Sequence, residues 1–585
     1  MYRKIIYALI FFISLTACHR EATPGKDKYS ASTKKVDFKP MDSTWKSLSL
    51  REKIGQVMII RAYYDEYIKE FGSIEKMLQK YPVGGIFMPD WAFLSIQPAD
   101  SIVPKLKKVI HSYVEASKYP LIITEDFERG VGNTYAGYTH FPVEMSLGAA
   151  NQPGLSYRYG QAISKEAKSL GFNWLLHPVG DLNMNPLQNL VVERAVSDDA
   201  GRAYPLLKAQ IQGMQKTGIV ATLKHFPGDG ATMKNQHFVT SANNLSMDKW
   251  NKSFGNMYQK LIDDGVDCIM VGHIRFPAYQ KQKLNGVLPP ATLSREIIED
   301  LLKNKMNFKG VVMSDALNMG GAAGYYPDEL ETAVKAFEAG VDLVLWPGFR
   351  FMDTIEARIQ RGEIPMSRLN DAVQRVWAVK EKYGWLEKEK TSLFQNLPEK
   401  EKKQIHHTGR EIAENAVTLL ADQQQELPLT PEKTKHIAIV NLSHYNLLDK
   451  FQLTKKYLEE KGFAVDTMLH NPSFFEWGIK LDYFKRFDKI LVVFENHYFS
   501  PLGSAFLKDQ EALGLWTVEM LPKDKIIAIS YSNPYYVNYY FENAPIRINA
   551  YSLDDFTQKA VVDALTGAIP FIGTSPVQLE FDFMK

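Results

Sequence analysis

From residue 53 to residue 348, short apolar, β-branched runs alternate with stretches of helical spacing. The runs are Lys53–Tyr63, Val83–Pro89, Pro120–Glu128, Asn173–Leu182, Val220–Gly228, Val266–Ile274, Gly310–Leu317 and Val341–Gly348. Helical spacing fills most of the gaps, as in Ser156–Leu170, Ala203–Lys216, Arg295–Lys305 and Glu329–Glu338. Strand alternating with helix predicts a parallel sheet. Eight repeats in about 300 residues predict a (β/α)8 TIM-like barrel, with a doubly wound open sheet as the alternative.

Several runs end in ionisable residues. Run three ends in Asp126 and Glu128, run four leads to Asp181, and run five ends in Lys224 and His225. Run six ends in His273 and run seven in Asp315. A barrel gathers the C-terminal ends of its strands on one face, where barrel enzymes build their sites. One such residue could be a helix cap. Five such runs together predict an active site.

After a helical and linking stretch, a second strand series follows: His436–Ser443, Lys489–Asn496, Lys525–Pro534 and Pro545–Ser552. It predicts a smaller α/β sandwich domain over 410–585, joined to a barrel over 41–390 by a linker at 391–409.

Composition adds limits. The chain has 585 residues, 45% hydrophobic and 23% charged, with a formal net charge of +2. That balance gives no footprint for nucleic acid. The two cysteines, Cys18 and Cys268, cannot form a zinc cluster. No phosphate-cradling glycine loop follows a strand, and no acidic spacing suits calcium. The expected cofactor is none, and the expected metal is none.

The first 18 residues carry Arg3 and Lys4, then an apolar stretch from Ile5 to Leu15. This reads as a signal peptide, too short for a comfortable membrane span. Its end, Leu15-Thr16-Ala17-Cys18, looks like a bacterial lipobox, with Cys18 as the lipidated residue. Residues 19–40 are polar and lysine-rich and read as a flexible tether. The expected location is the cell envelope, on the periplasmic or outer-surface side, with membrane contact only through the N-terminal lipid.

The strongest local signal is Lys224-His225-Phe226-Pro227-Gly228-Asp229-Gly230, followed by His237. It resembles the Lys-His-Phe-Pro-Gly-His-Gly signature of the β-N-acetylglucosaminidases of glycoside hydrolase family 3. The second signal, Ser314-Asp315-Ala316-Leu317-Asn318-Met319, is similar to that family's Ser-Asp-x-Leu-x-Met segment. The resemblance implies that Asp315 is the nucleophile of a retaining mechanism, attacking the anomeric carbon to form a covalent glycosyl-enzyme. It implies that Lys224 and His225 bind the sugar, and that His237 is the general acid/base. Asp126-Phe127-Glu128-Arg129-Gly130-Val131 resembles a third family segment, in which the aspartate holds sugar hydroxyls. By the same reasoning Arg194, within Glu193-Arg194-Ala195-Val196-Ser197-Asp198, and His273, within Met270-Val271-Gly272-His273, are sugar ligands. His273 also reads as a histidine satisfied inside the core. Gly573-Thr574-Ser575-Pro576 fits the segment that closes the family's second domain.

Two positions depart from the pattern. The family's Asp-Ser-His triplet is here Asn235-Gln236-His237, and the signature's second histidine is Asp229. Asn235 supplies no charge to the histidine. Asp229 would offset that loss only if it met His237. The implied function is hydrolysis of terminal β-linked N-acetylhexosamine from cell-wall fragments or related glycans. The alternatives are a sugar-binding member with weakened catalysis and a β-glucosidase-type hydrolase. In the latter Glu495, at a strand end of the second domain, is the candidate acid/base. Trp91 and Trp346 follow strand ends and are candidates for stacking on a sugar.

Overall fold

A computed structural model describes residues 40–93, 101–387, 393–443, 448–468, 481–495, 514–516 and 518–581. The signal peptide, Cys18 and nearly all of the tether lie outside the described residues. Eight parallel strands form the first sheet: β1 (Met58–Arg61), β2 (Gly85–Phe87), β3 (Ile122–Glu125), β4 (Trp174–Leu175), β5 (Val220–Phe226), β6 (Cys268–Val271), β7 (Val311–Ser314) and β8 (Val344–Leu345). Neighbours pair in chain order, and β8 pairs with β1. A bridge between Met313 and Leu343 brings β7 against β8. The result is a nearly closed (β/α)8 barrel.

The alternation of side chains along each strand divides the core in two. Ile59, Phe87, Ile122, Trp174, Val220, Met270, Met313 and Leu345 pack inside the barrel. Met58, Ile60, Ile86, Ile123, Ala221, Ile269, Val312 and Val344 pack outward under the helices. Two residues beyond Ile59, Thr124, Thr222 and Met313, the same inner rows reach Arg61, Asp126, Lys224 and Asp315.

Those four residues share one height. The registers run Ile59↔Gly85↔Ile122, Thr124↔Trp174↔Val220, Thr222↔Cys268↔Val311, Met313↔Leu343 and Val344↔Met58. Staying level requires a rise of about one residue per strand, the stagger of a barrel with shear 8. With that rise, Arg61 on β1, Asp126 after β3, Lys224 on β5 and Asp315 after β7 form one layer from alternate strands. It is the uppermost layer, on the C-terminal face.

The opposite end is closed by Lys380, on α3 of the helices α1 (Pro153–Ser169), α2 (Ala200–Lys216) and α3 (Met366–Lys382). Its ammonium is fully buried and donates to Gln56 Oε1 at 2.6 Å and Pro120 O at 2.5 Å. Burial pushes it down to about 7.

The second domain carries six strands: β9 (Thr418–Asp422), β10 (His436–Asn441), β11 (Ala464–Met468), β12 (Lys489–Phe494), β13 (Ile526–Ser530) and β14 (Ile546–Asn549). Their order is β9-β14-β13-β12-β10-β11, parallel except for β9. Four match the second strand series of the sequence. β9 and β11 were not among the runs, and both are edge strands.

The chain's last described segment clasps the barrel. Arg202 on α2 donates to Ser575 O at 2.8 Å, to Thr574 O at 3.0 Å and to Thr574 Oγ1 at 2.7 Å, as well as to Gly148 O. Ser197 Oγ donates to Pro576 O at 2.6 Å. Arg202→Ala is expected to lower stability by about 2 kcal/mol, the scale for hydrogen bonds from a charged donor. Urea unfolding checks the value, and limited proteolysis should then cut first near residue 575.

Candidate active site

The uppermost layer is tied together by charge. Lys224 Nζ, on the fifth strand, lies 2.6 Å from Asp126 Oδ1 and 2.8 Å from Glu128 Oε1. Arg194 clamps Glu128 in a fork, with Nε at 2.8 Å and Nη2 at 2.7 Å from its two oxygens. Burial works against the charge on Glu128, but Arg194 and Lys224 overcome it and hold the carboxyl well below its usual range. The same carboxylates raise Lys224 against the effect of burial. Asp126 is the partly open member, its side chain 45% exposed. Carboxylate, ammonium and guanidinium therefore form one paired cluster, a set suited to the hydroxyls of a sugar.

His225 is held by Asp181, which reaches it after β4. Asp181 Oδ2 lies 2.7 Å from His225 Nδ1, while Oδ1 accepts from the backbone N–H groups of His225 and Asp229. His225 Nε2 then faces Asp315 Oδ2 at 3.8 Å.

Asp315 has one oxygen engaged and one free. Oδ1 accepts from Ala316 N at 2.7 Å. Oδ2 is buried and has no hydrogen-bond partner among the described residues. Burial alone would raise this carboxyl. His225, His273, His237 and the Ala316 N–H outweigh burial and hold it below its ordinary value. A charged carboxylate with an unused oxygen at the centre of the layer is what attack on an anomeric carbon requires.

The loop after β5 carries His237, which interacts electrostatically with Asp315 and Arg194. Asn235 Oδ1 accepts the His237 backbone N–H at 3.0 Å and lies 2.9 Å from His237 Nδ1. The backbone bond fixes that atom as the amide oxygen, so Nδ1 carries the hydrogen and Nε2 keeps its lone pair. Asn235 thus sets the tautomer without adding charge. Burial, and then the Arg194 charge, lower His237 to about 4, with Asp315 pulling the other way.

A pair of glycines seats the loop. Gly320 N donates to His237 O at 2.9 Å, and Gly321 N to Gln236 O at 3.1 Å. A Cβ at Gly320 would strike Phe238 O, and one at Gly321 would strike Gln236 O and lie 2.6 Å from His273 Cβ. Gly321→Ala should therefore displace His237 and lower kcat on the order of 10²-fold while the fold persists, the scale for misplacing a reacting group by about 1 Å. Turnover measured beside the thermal midpoint tests this.

The remaining candidates take other places. His273 is fully buried, with Nδ1 2.8 Å from Thr292 Oγ1 and Nε2 2.8 Å from Ala316 O. Both ring nitrogens are used, so His273 holds the Asp315 turn rather than reaching a ligand. Asp229 accepts from Gly230 N at 2.8 Å and Ser241 Oγ at 3.0 Å. It does not bond to His237 and so does not replace the missing carboxylate. Burial and the Asp181 charge raise it to about 7. Glu495 directly follows β12 at 6% exposure, with its carboxyl raised by burial. It adds to the charge that, with burial, lifts Glu193 to about 7.

Trp91 and Trp346 meet edge to face at 5.8 Å. Trp346 has φ +58, a conformation bulky residues rarely adopt. Sequence reading missed Arg61, whose guanidinium lies 4.7 Å from the Trp346 ring centroid and 5.6 Å from that of Tyr63. No motif surrounds it, and only the barrel register reveals its height. Among the described residues no group of metal-binding side chains is found.

A parallel barrel with a network of ionised side chains and a charged carboxylate at the C-terminal ends of its strands has the layout of a barrel enzyme. The sequence profile described as Glycosyl hydrolase family 3 N terminal domain matches residues 49–379, and the chain belongs to glycosyl hydrolase family 3. It is 27% identical over 553 residues to a β-N-acetylglucosaminidase/β-glucosidase of Cellulomonas fimi, covering 90% of this chain and 93% of the relative. It is 29% identical over 355 residues to a β-hexosaminidase A of Pseudoalteromonas piscicida, covering 56% of this chain and 58% of that one. Among solved structures, a family 3 β-N-acetylglucosaminidase from Paenibacillus sp. str. FPU-7 superposes with a TM-score of 0.77 at 26% identity, covering 91% of this chain and 99% of that one. A β-glucoside phosphorylase superposes with a TM-score of 0.79 at 26% identity, covering 93% and 96%.

Proposed function

We propose that the protein is a retaining β-N-acetylglucosaminidase that releases terminal β-linked N-acetylhexosamine. The observation that carries this reading is the free Oδ2 of Asp315, buried and charged beside His225 at the centre of the sugar-binding layer. Asp126, Lys224 and Arg194 hold the glycone, Asp315 attacks, and His237 handles the proton on the leaving oxygen and then on the incoming water. The names of the relatives support the same sugar. Release of p-nitrophenol from p-nitrophenyl β-N-acetylglucosaminide tests it. Turnover by the parent that vanishes in Asp315→Ala supports the reading, and a parent that binds N-acetylglucosamine without turnover replaces it with a binding role.

Cell-wall fragments at the envelope are the proposed natural substrate, with Cys18 as the lipid anchor. Loss of lipid labelling in Cys18→Ala checks the anchor.

A second reading concerns the acceptor. His237 is held neutral beside Arg194, and Asn235 adds no negative charge, so an anionic acceptor would meet little repulsion there. Phosphate in place of water would then yield a sugar 1-phosphate. Formation of that product at millimolar phosphate favours this reading, and its absence leaves water as the acceptor.

A further inference from the structure

Three members of the uppermost barrel layer have roles in the site: Asp126, Lys224 and Asp315. The fourth is Arg61. It ends β1 on the same inward row as Ile59, and the register puts it at the height of the other three. In a layer of four, Arg61 stands opposite Lys224 and beside Asp315. A pyranose with its anomeric carbon over Asp315 and its far edge at Asp126 turns one flank to Lys224 and the other to Arg61.

The surroundings of Arg61 fix its position through aromatic rings. The guanidinium lies over the rings of Trp346 and Tyr63, within the range of cation–π attraction. Trp346 in turn packs on the inner barrel core. Nη1 donates to Tyr63 OH at 3.0 Å, the one hydrogen bond from this side chain among the described residues. No carboxylate side chain that the structure describes lies within ion-pair distance of it. Tyr63 OH also accepts from Trp91 Nε1 at 3.4 Å, which leaves its own hydrogen to donate. The unused groups of this cluster are thus donors. Arginine presents such donors in a planar fork that matches a planar oxygen acceptor.

We propose that Arg61 is a glycone-contacting residue that selects a planar oxygen acceptor, an amide carbonyl or a carboxylate, on the ring flank turned away from Lys224. The inference rests on the glycosidase reading. Two sugar features share the chemistry: an acetamido group on C2, and the carboxylate that a uronic acid carries as its exocyclic C6.

The test compares p-nitrophenyl β-glycosides of N-acetylglucosamine, glucose and glucuronic acid with the parent, Arg61→Met and Arg61→Lys. Arg61→Met should lower kcat/KM by roughly 10- to 100-fold on one acceptor-bearing glycoside, the scale of a lost charge-assisted hydrogen bond, and by much less on the glucoside. Arg61→Lys should restore part of the loss. Loss confined to the acetamido sugar assigns Arg61 to that group, and loss confined to the glucuronide assigns it to the carboxylate. Equal loss on all three glycosides, or none, overturns the proposal. If the parent turns over none of them, the glycosidase reading fails. Quenching of tryptophan fluorescence by free N-acetylglucosamine, glucose and glucuronate then decides on Arg61: selectivity lost in Arg61→Met upholds the contact, and selectivity unchanged overturns it.

Discussion

Asp315→Ala is expected to reduce turnover of an N-acetylglucosaminide on the order of 10⁴-fold or more, the scale seen when a covalent enzyme loses its nucleophile. The loss should fall on kcat and leave ligand affinity nearly intact. The proposed sugar ligands Asp126, Lys224 and Arg194 make ion pairs that do not involve Asp315. The environment of Asp315 is arranged for its charge: three histidines and a backbone N–H overcome the burial that would protonate it. Shortening the side chain opens room beneath the anomeric carbon. Added azide should then react from that face and give the glycosyl azide of opposite configuration. Recovery of rate with azide, read as that product, separates a missing nucleophile from a misfolded barrel.

The second large effect belongs to His237. His237→Ala should cost roughly 10²- to 10⁴-fold on substrates with alcohol leaving groups, the range for general acid–base catalysis. It should cost much less on p-nitrophenyl glycosides, whose leaving group departs without a proton. The pH dependence carries a definite sign. With His237 lowered to about 4, its protonated form is abundant only in acid, while Asp315 stays charged to still lower pH. In the free enzyme, kcat/KM for alcohol glycosides should therefore fall as pH rises above about 4–5. Water attack in the second step uses the neutral ring and suits neutral pH. Asn235→Asp keeps the bond to Nδ1 and adds the missing charge. It should raise the His237 pKa and move the falling limb to higher pH. Initial rates across pH with two leaving groups check both effects, and an unmoved limb in Asn235→Asp separates His237 from the proton transfer.

Much of this could be read in the sequence because parallel barrel strands are buried on both faces and appear as unbroken apolar runs. Val220–Phe226 is buried at every position and was plain. β4 and β8 span only two residues each, so their apolar surroundings marked them rather than their length. β9 and β11 escaped notice because edge strands mix exposed and buried positions, as in Ala464–Met468. In the site, strand ends and motifs indicated Asp126, Arg194, Lys224, His225, His237 and Asp315. Contacts made in space were not legible. The tie of Asp181 to His225, the closed partners of His273 and the Gly320–Gly321 seat depend on elements far apart in the chain. Arg61 depends on the stagger of eight strands, which no local pattern encodes.

The most direct measurement is intact-protein mass after brief incubation with a slow fluorinated N-acetylglucosaminyl fluoride, followed by mapping of the modified peptide. One glycosyl group, esterified to Asp315, is the expected result. An ester on another carboxylate, such as Asp126 or Glu495, or an unmodified protein that hydrolyses N-acetylglucosaminides with inversion, would contradict it.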